Sequence, residues 1–498
     1  MFLWGTATAS YQIEGAVAEG GRGPSIWDTF THEPGRVRDG HTGDVTCDHY
    51  HRWPEDVALM AGLGVNSYRF SIAWPRVQPT GAGPVNQAGL DFYDRLVDAL
   101  GEKGVIPAAT LFHWDLPQPL QDEGGWLNRD TAHRFADYAA AVADRLADRI
   151  PMWITLNEPF VHMVYGYALG NHAPGRTLLL DALPVAHHQL LGHGLAVQAL
   201  RDRGARQVLI TNNCTPVWPA SGAPADLAAA EAYDTLHNRL FNDPVLLGKY
   251  PDMSAFGVEL DCVRDGDLDL IGAPLDGIGI NYYNPTRIAA PTAEGLPFTD
   301  AGVTGYPTTA FGWPVVPDGL RQLLLDLAAR YGDALPPVYV TENGCSQPDL
   351  PGPDGTVGDQ DRIAYLEGHI DAVEQARSEG VDVRGYYVWS LLDNFEWAEG
   401  FHQRFGLVHV DFATGRRTPK ASYHWYRNRI ATDQARGDAS RTGKSAGRHL
   451  GARTCRKPAS SPRDLRERLC ARREYRIGCD TRSFRNTGFQ NTEMWTWS

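Results

Sequence analysis

The chain has 498 residues, of which 43% are hydrophobic and 21% charged, and it carries a formal net charge of −14. This is the composition of a globular protein, and no apolar run reaches the roughly 18 residues that a membrane helix needs. Residues 433–498 hold 15 Lys and Arg against 7 Asp and Glu, a balance of +8, which leaves the body at −22; so acidic a body does not fit nucleic-acid binding.

Seven cysteines lie between Cys47 and Cys479 without a CxxC pair. An odd number at scattered spacing fits a reducing compartment better than a disulfide framework. Met1-Phe-Leu-Trp-Gly5 shows neither the basic nor the apolar region of a secretory signal, so either a cytoplasmic location or a trimmed start is expected. The 14 Trp and 20 Tyr are a mild pointer to sugar rings, whose apolar faces stack on aromatics, although aromatics also fill cores.

In chain order, strands are predicted at 2–10, 66–74, 106–114, 152–157, 207–212, 277–283, 338–341 and 384–390. Amphipathic helical patterns at 89–103, 129–149, 185–203 and 359–379 separate several of them. Eight alternations without a break in composition predict an α/β fold, a single (β/α)8 TIM barrel with elaborated βα loops, over residues 1–432. Residues 433–498 are basic and aperiodic and are expected to form a disordered or non-native extension. A basic appendage for anionic surfaces or nucleic acid is the alternative.

Active sites of such barrels lie at the C-terminal ends of the strands. Those ends carry Gln12, Arg69, His113 and Trp114, Asn157 and Glu158, Asn212, Asn281 and Tyr283, Glu342, and Trp389. Polar loops would produce one or two such ends by chance, but here every strand has one. Two of them are carboxyls 184 residues apart, in Thr155-Leu-Asn-Glu158-Pro and Thr341-Glu342-Asn-Gly344. A rigid pair of carboxyls with different tasks serves glycoside hydrolysis. Arg69 and Tyr283 are placed to hold Glu342 ionised as a nucleophile, and its charge would keep Glu158 protonated as the acid. Asn157 is suited to hold a sugar 2-hydroxyl. An isolated Asn-Glu-Pro would read as a surface or capping carboxylate, and a non-hydrolytic sugar-binding barrel is the alternative from another class.

Longer motifs stand in order along the chain. They are Trp4-Gly-Thr-Ala-Thr-Ala-Ser-Tyr-Gln-Ile-Glu-Gly15, Tyr68-Arg-Phe-Ser-Ile-Ala-Trp-Pro-Arg76, His113-Trp-Asp-Leu-Pro-Gln118, Asn281-Tyr-Tyr283 and Trp389-Ser-Leu-Leu-Asp-Asn-Phe-Glu-Trp397, besides the two glutamate segments. With these, Phe2 to about Ile430 resembles glycoside hydrolase family 1, the β-glucosidase and β-galactosidase group. The resemblance implies a cofactor-free, metal-free retaining enzyme with Glu158 as acid/base and Glu342 as nucleophile. It implies a glycone subsite of Gln12, His113, Asn157, Glu396 and Trp397 with Trp389 as platform and Phe405 nearby, and places Asn212 and Trp313 on the leaving-group side. Small β-glucosides or cello-oligosaccharides are the expected substrates, with β-galactosyl or β-fucosyl residues besides. A carboxylate at Glu396 is expected to repel a sugar 6-phosphate.

Two other patterns carry less. Cys47-Asp-His49-Tyr-His51 could supply metal ligands, but no second cluster at ligand spacing accompanies it. The loop Gly166–Gly175 lacks the Lys-Ser/Thr ending of a phosphate cradle.

Overall fold

The computed structural model of the protein describes residues 1–292 and 295–446. Eight parallel strands close into a barrel. They are β1 (Leu3–Ala7), β2 (Ser67–Ser71), β3 (Ile106–Phe112), β4 (Met152–Asn157), β5 (Gln207–Asn213), β6 (Ile278–Asn281), β7 (Val338–Asn343) and β8 (Val383–Trp389). Each pairs with its neighbours in sequence, and β1 closes the ring against β8 through Ala7 and Trp389. Central parallel strands are covered on both faces, which is why β2, β4 and β7 are buried along their whole length.

The covering helices include α1 (His49–Leu63), α2 (Gln87–Glu102), α3 (Asp130–Leu146), α4 (Leu183–Arg201), α5 (Pro224–Asp234), α6 (Leu240–Leu247), α7 (Pro317–Tyr331), α8 (Gln360–Ser378) and α9 (Ala421–Ala446). The four predicted helices are α2, α3, α4 and α8, each within a few residues of its expected ends. Elaborations that the periodicity did not show are a small sheet of Val217–Pro219, Thr286–Ala289 and Thr299–Asp300, and a hairpin of Val408–Asp411 with Arg416–Pro419.

Met1–Ala431 forms one compact unit. A second unit begins at Thr432 and is described only as far as 446, within α9. The expectation for the rest of the extension lies outside the described residues. Among the described residues no helix is long and apolar enough to cross a membrane.

Register decides what faces the cleft. Asn213 pairs with Asn281, and Asn281 with Glu342, so these three side chains share one inward layer. A register shift between Val340 and Glu342 brings the carboxyl into that layer. Gly279 makes room for the layer beneath, because a Cβ there would lie 2.1 Å from Thr211 Oγ1. The barrel floor below is apolar, built from Ala108, Met152, Ile154, Leu209 and Tyr339.

Candidate active site

Glu158 follows the last residue of β4 and begins the short helix Pro159–Val161 with φ of 46°. Trp114 and Trp397 also have positive φ, at 76° and 49°. Left-handed backbone is disfavoured for such residues by about 1–3 kcal/mol each, and its clustering at one cleft is a mark of a functional site.

Glu342 lies inside β7, two residues further into the strand than predicted. Its Oε1 accepts from Arg69 Nη1 at 2.5 Å and its Oε2 from the Tyr283 hydroxyl at 2.8 Å. Arg69 also donates through Nη2 to Asn157 Oδ1 at 2.6 Å and through Nη1 to the Thr341 carbonyl at 3.1 Å. Burial pushes Glu342 above the usual carboxylate range, while Arg69 and then Tyr283 pull it back.

The partners of Glu158 are different. Oε1 accepts from Asn281 Nδ2 at 2.7 Å and from Asn213 Nδ2 at 3.2 Å, and no cation is paired with it among the described residues. Thr341 Oγ1 donates to Asn281 Oδ1 at 2.8 Å, which turns the amide nitrogen of Asn281 toward Glu158. Asn281 also interacts with Glu342, so one amide stands between the two carboxyls. The pKa of Glu158 is pushed up to about 8, first by burial and then by the charge of Glu342. The expected effect of Glu342 is therefore present, with burial added ahead of it. A carboxyl with 3% of its surface exposed is destabilised as an anion before any neighbour acts.

A third carboxyl, Glu396, lies beside them. Its Oε2 is 3.4 Å from Gln12 Nε2, and Trp389 hydrogen-bonds to it. Burial raises it well above the usual range, followed by Glu342 and Glu158. The repulsion expected toward a phosphate presupposes an ionised Glu396. Burial opposes that charged form without removing the hydrogen-bonding capacity of the carboxyl.

Gln12 sits in the helical turn Ser10–Ile13 beyond β1, where its amide nitrogen donates to the Phe395 carbonyl at 2.9 Å. His113 Nε2 is 3.1 Å from Asn157 Nδ2, and burial, then Arg69, holds the ring well below its usual pKa and therefore neutral. Gln12 Oε1 and His113 Nδ1 are buried without a hydrogen-bond partner among the described residues. Buried polar atoms left unpaired are costly, and hydroxyl groups of a ligand would satisfy both.

Trp389, Trp313 and Phe405 join one apolar cluster, with Tyr283 packed against it. Trp313 meets Tyr283 edge to face at 5.2 Å and stacks on Phe311 at 4.4 Å. Trp397 is stacked 7° from parallel with Tyr11 and packs on Trp114 at 4.6 Å.

Two predicted residues spend their polar groups on the protein itself. Trp114 donates its indole N–H to the Asn157 carbonyl at 2.8 Å and packs between Trp397 and His172, so it supports the site from behind. Asn212 donates to Asn242 Oδ1 at 2.7 Å, on α6, outside the barrel. Side chains alternate along a strand, so moving one residue along β5 reverses the face. Asn213, one position on, is the residue that faces Glu158.

The Cys47–His51 cluster separates in three directions. Cys47 Sγ meets the Asp393 carbonyl, His49 meets Asp56, and His51 meets Asp48 and Glu19. Among the described residues no group of three or more His, Cys, Asp or Glu side chains is arranged to hold a metal ion.

A parallel barrel that gathers two buried carboxyls at its strand ends, one against a cation and one among amides, has the layout of a glycoside hydrolase. The chain belongs to glycosyl hydrolase family 1, whose family model matches residues 1–435. As a member of this retaining family it is a retaining glycoside hydrolase. It is 46% identical over 437 residues to beta-glucosidase A of Acetivibrio thermocellus, covering 86% of this chain and 97% of that one. It is 47% identical over 461 residues to the bifunctional beta-D-glucosidase/beta-D-fucosidase of Bifidobacterium breve, covering 87% and 98%. Among solved structures, the psychrophilic beta-glucosidase of Micrococcus antarcticus superposes with a TM-score of 0.83 at 46% identity, over 86% of this chain and 97% of that one.

Proposed function

We propose that the chain is a β-glucosidase that releases terminal β-D-glucosyl residues from small glucosides and cello-oligosaccharides. In this reading the catalytic work lies within residues 1–432, with Glu342 as nucleophile and Glu158 as acid/base. The observation that carries the assignment is the contrast in partners. Glu342 is held by a guanidinium and a phenol, whereas among the described residues Glu158 is held only by amides.

In the first step a Glu342 oxygen attacks the anomeric carbon as the glycosidic bond breaks. Glu158 gives its proton to the departing oxygen, and a glycosyl ester forms on Glu342. In the second step Glu158, now ionised, takes a proton from water as that water attacks the anomeric carbon. The ester bond breaks, the sugar leaves, and both carboxyls return to their starting states. A retaining pair works at a carboxyl separation of about 5–5.5 Å, and the single Asn281 amide between Glu158 and Glu342 is consistent with so close a pair.

Gln12, His113, Asn157, Glu396 and Trp397 would recognise the sugar hydroxyls, with Trp389 beneath the ring and Phe405 behind it. Tyr283 and Trp313 would border the leaving-group side. Glucosyl preference, with fucosyl or galactosyl residues as secondary substrates, draws on the names of the relatives. A cytoplasmic setting and a part in cellulose breakdown belong to the same proposal; free thiols at Cys47, Cys214, Cys262 and Cys345 support the first.

The test is Glu342→Gly. Hydrolysis of an aryl β-glucoside should fall by several orders of magnitude, and formate should restore part of it as a substitute nucleophile. Full activity in this variant would overturn the assignment.

A further inference from the structure

Behind Asn213 the hydrogen bonds continue away from the cleft. Asn213 Oδ1 lies 2.9 Å from His237 Nε2, and His237 Nδ1 lies 3.1 Å from the Tyr233 hydroxyl. Tyr233 is in α5, and His237 follows four residues later in the π-helical turn Thr235–Arg239, on the same face. Phe160 stacks on the imidazole with ring centroids 3.8 Å apart and 25° between planes, which fixes the plane of the ring. Phe160 itself comes two residues after Glu158, so the acid/base loop grips the ring that supports it.

Burial pushes His237 down to about 3, so the imidazole is neutral, with one N–H and one lone pair. With Glu158 ionised, the whole chain is satisfied when every donor points inward. Tyr233 O–H donates to Nδ1, Nε2–H donates to Asn213 Oδ1, and Asn213 Nδ2–H donates to Glu158 Oε1. Turning the Asn213 amide over would set its carbonyl against the carboxylate and its NH2 against Nε2–H. In this Nε2–H tautomer the imidazole holds the amide with its NH2 toward Glu158. Oε1 then accepts two N–H groups, from Asn213 and Asn281, while Oε2 accepts none among the described residues.

We propose that His237, with Tyr233 behind it, is a positioning residue for the acid/base carboxyl: through Asn213 it keeps an N–H on Glu158 Oε1, so that the transferable proton is carried on Oε2. The inference rests on the reading of Glu158 as acid/base. Neither His237 nor Tyr233 touches the reacting atoms.

The test uses the full chain and a series of aryl β-glucosides of graded leaving-group pKa, with kcat/KM measured for each. His237→Phe keeps a ring for Phe160 to stack on but has no nitrogen. The loss in kcat/KM should grow as the leaving group becomes poorer, reaching about tenfold at the basic end of the series, because poor leaving groups depend on the proton. His237→Gln can present an N–H to Asn213 and should recover most of that dependence. Tyr233→Phe should show the same trend with a smaller slope, and it decides the matter alone if His237→Phe does not fold. An equal loss across the series, or none, would overturn the proposal. Glu158→Gln serves as the reference. If its own loss does not grow with leaving-group pKa, the acid/base assignment fails; if it does and the His237 and Tyr233 variants show no such trend, only the positioning role fails.

Discussion

Arg69 Nη1 lies 2.5 Å from Glu342 Oε1, and the guanidinium reaches on through Nη2 to Asn157, the residue next to Glu158. One buried cation thus favours the charged form of the proposed nucleophile and holds the neighbour of the proposed acid. Arg69→Met should leave burial opposed only by neutral donors, so the pKa of Glu342 rises. The acidic limb of the kcat/KM profile should then move to higher pH, because Glu342 must be ionised to attack. The loss at neutral pH should be on the order of 10²-fold or more. Arg69→Lys should recover only part, since a single ammonium cannot reproduce both arms of the fork.

Glu158, the proposed acid/base, follows the opposite sign. Glu158 must carry a proton for the first step, so kcat/KM should fall as pH rises through about 8. Burial is the larger cause of that raised value, which leads to a further expectation. In Glu342→Gln the Glu158 pKa should drop, yet remain above the ordinary carboxylate range. A ¹³C NMR titration of labelled glutamate carboxyls reads this directly. A fall to the ordinary range would assign the shift to the charge of Glu342 instead.

The two asparagines at the end of β5 should separate cleanly. Asn212→Ala removes a buried bond to Asn242 and should cost about 1–2 kcal/mol of stability, with kcat/KM within about twofold. Asn213→Ala leaves the buried His237 nitrogen without its partner and should cost a similar amount of stability, but here kcat/KM falls as well, most for poor leaving groups. Calorimetry paired with the aryl series checks both.

The loop that carries Glu396 and Trp397 rests on a buried ionic network. Lys420 Nζ is 2.5 Å from Asp349 and 2.7 Å from Asp393, and Arg362 and Arg404 join the same two carboxylates. Lys420→Met leaves those carboxylates short of a cation in a dry interior. It should destabilise the fold by about 3–5 kcal/mol, measured as a lower midpoint in denaturant.

The barrel strands were legible because parallel strands covered on both faces read as short apolar runs, as Met152–Leu156 does. Their ends were less so. The run from Phe2 was extended to Ser10, whereas the strand stops at Ala7 and a helical turn brings Gln12 into the cleft. Both glutamates and Tyr283 follow or end such runs, whereas Arg69 lies in the middle of β2, and the fold brings the four side chains together. Asn213 was missed for Asn212 because pairing with Asn281 and Glu342, remote in sequence, sets the face. His237 lies 24 residues beyond Asn213 on a helical segment, and nothing local marks it. The dominance of burial over charge at Glu158 required three dimensions, since local sequence does not reveal how thoroughly a strand end is shielded.

The most direct measurement of the two carboxyl roles is the anomeric form of the glycosyl azide made by each single variant from an activated aryl β-glucoside, read by ¹H NMR. In Glu342→Gly, azide should replace the nucleophile and give the α-azide by one inversion. In Glu158→Ala, azide should attack the glycosyl ester on Glu342 and give the β-azide by two. The opposite pairing of variant and anomer would contradict the assignment of Glu342 as nucleophile and Glu158 as acid/base.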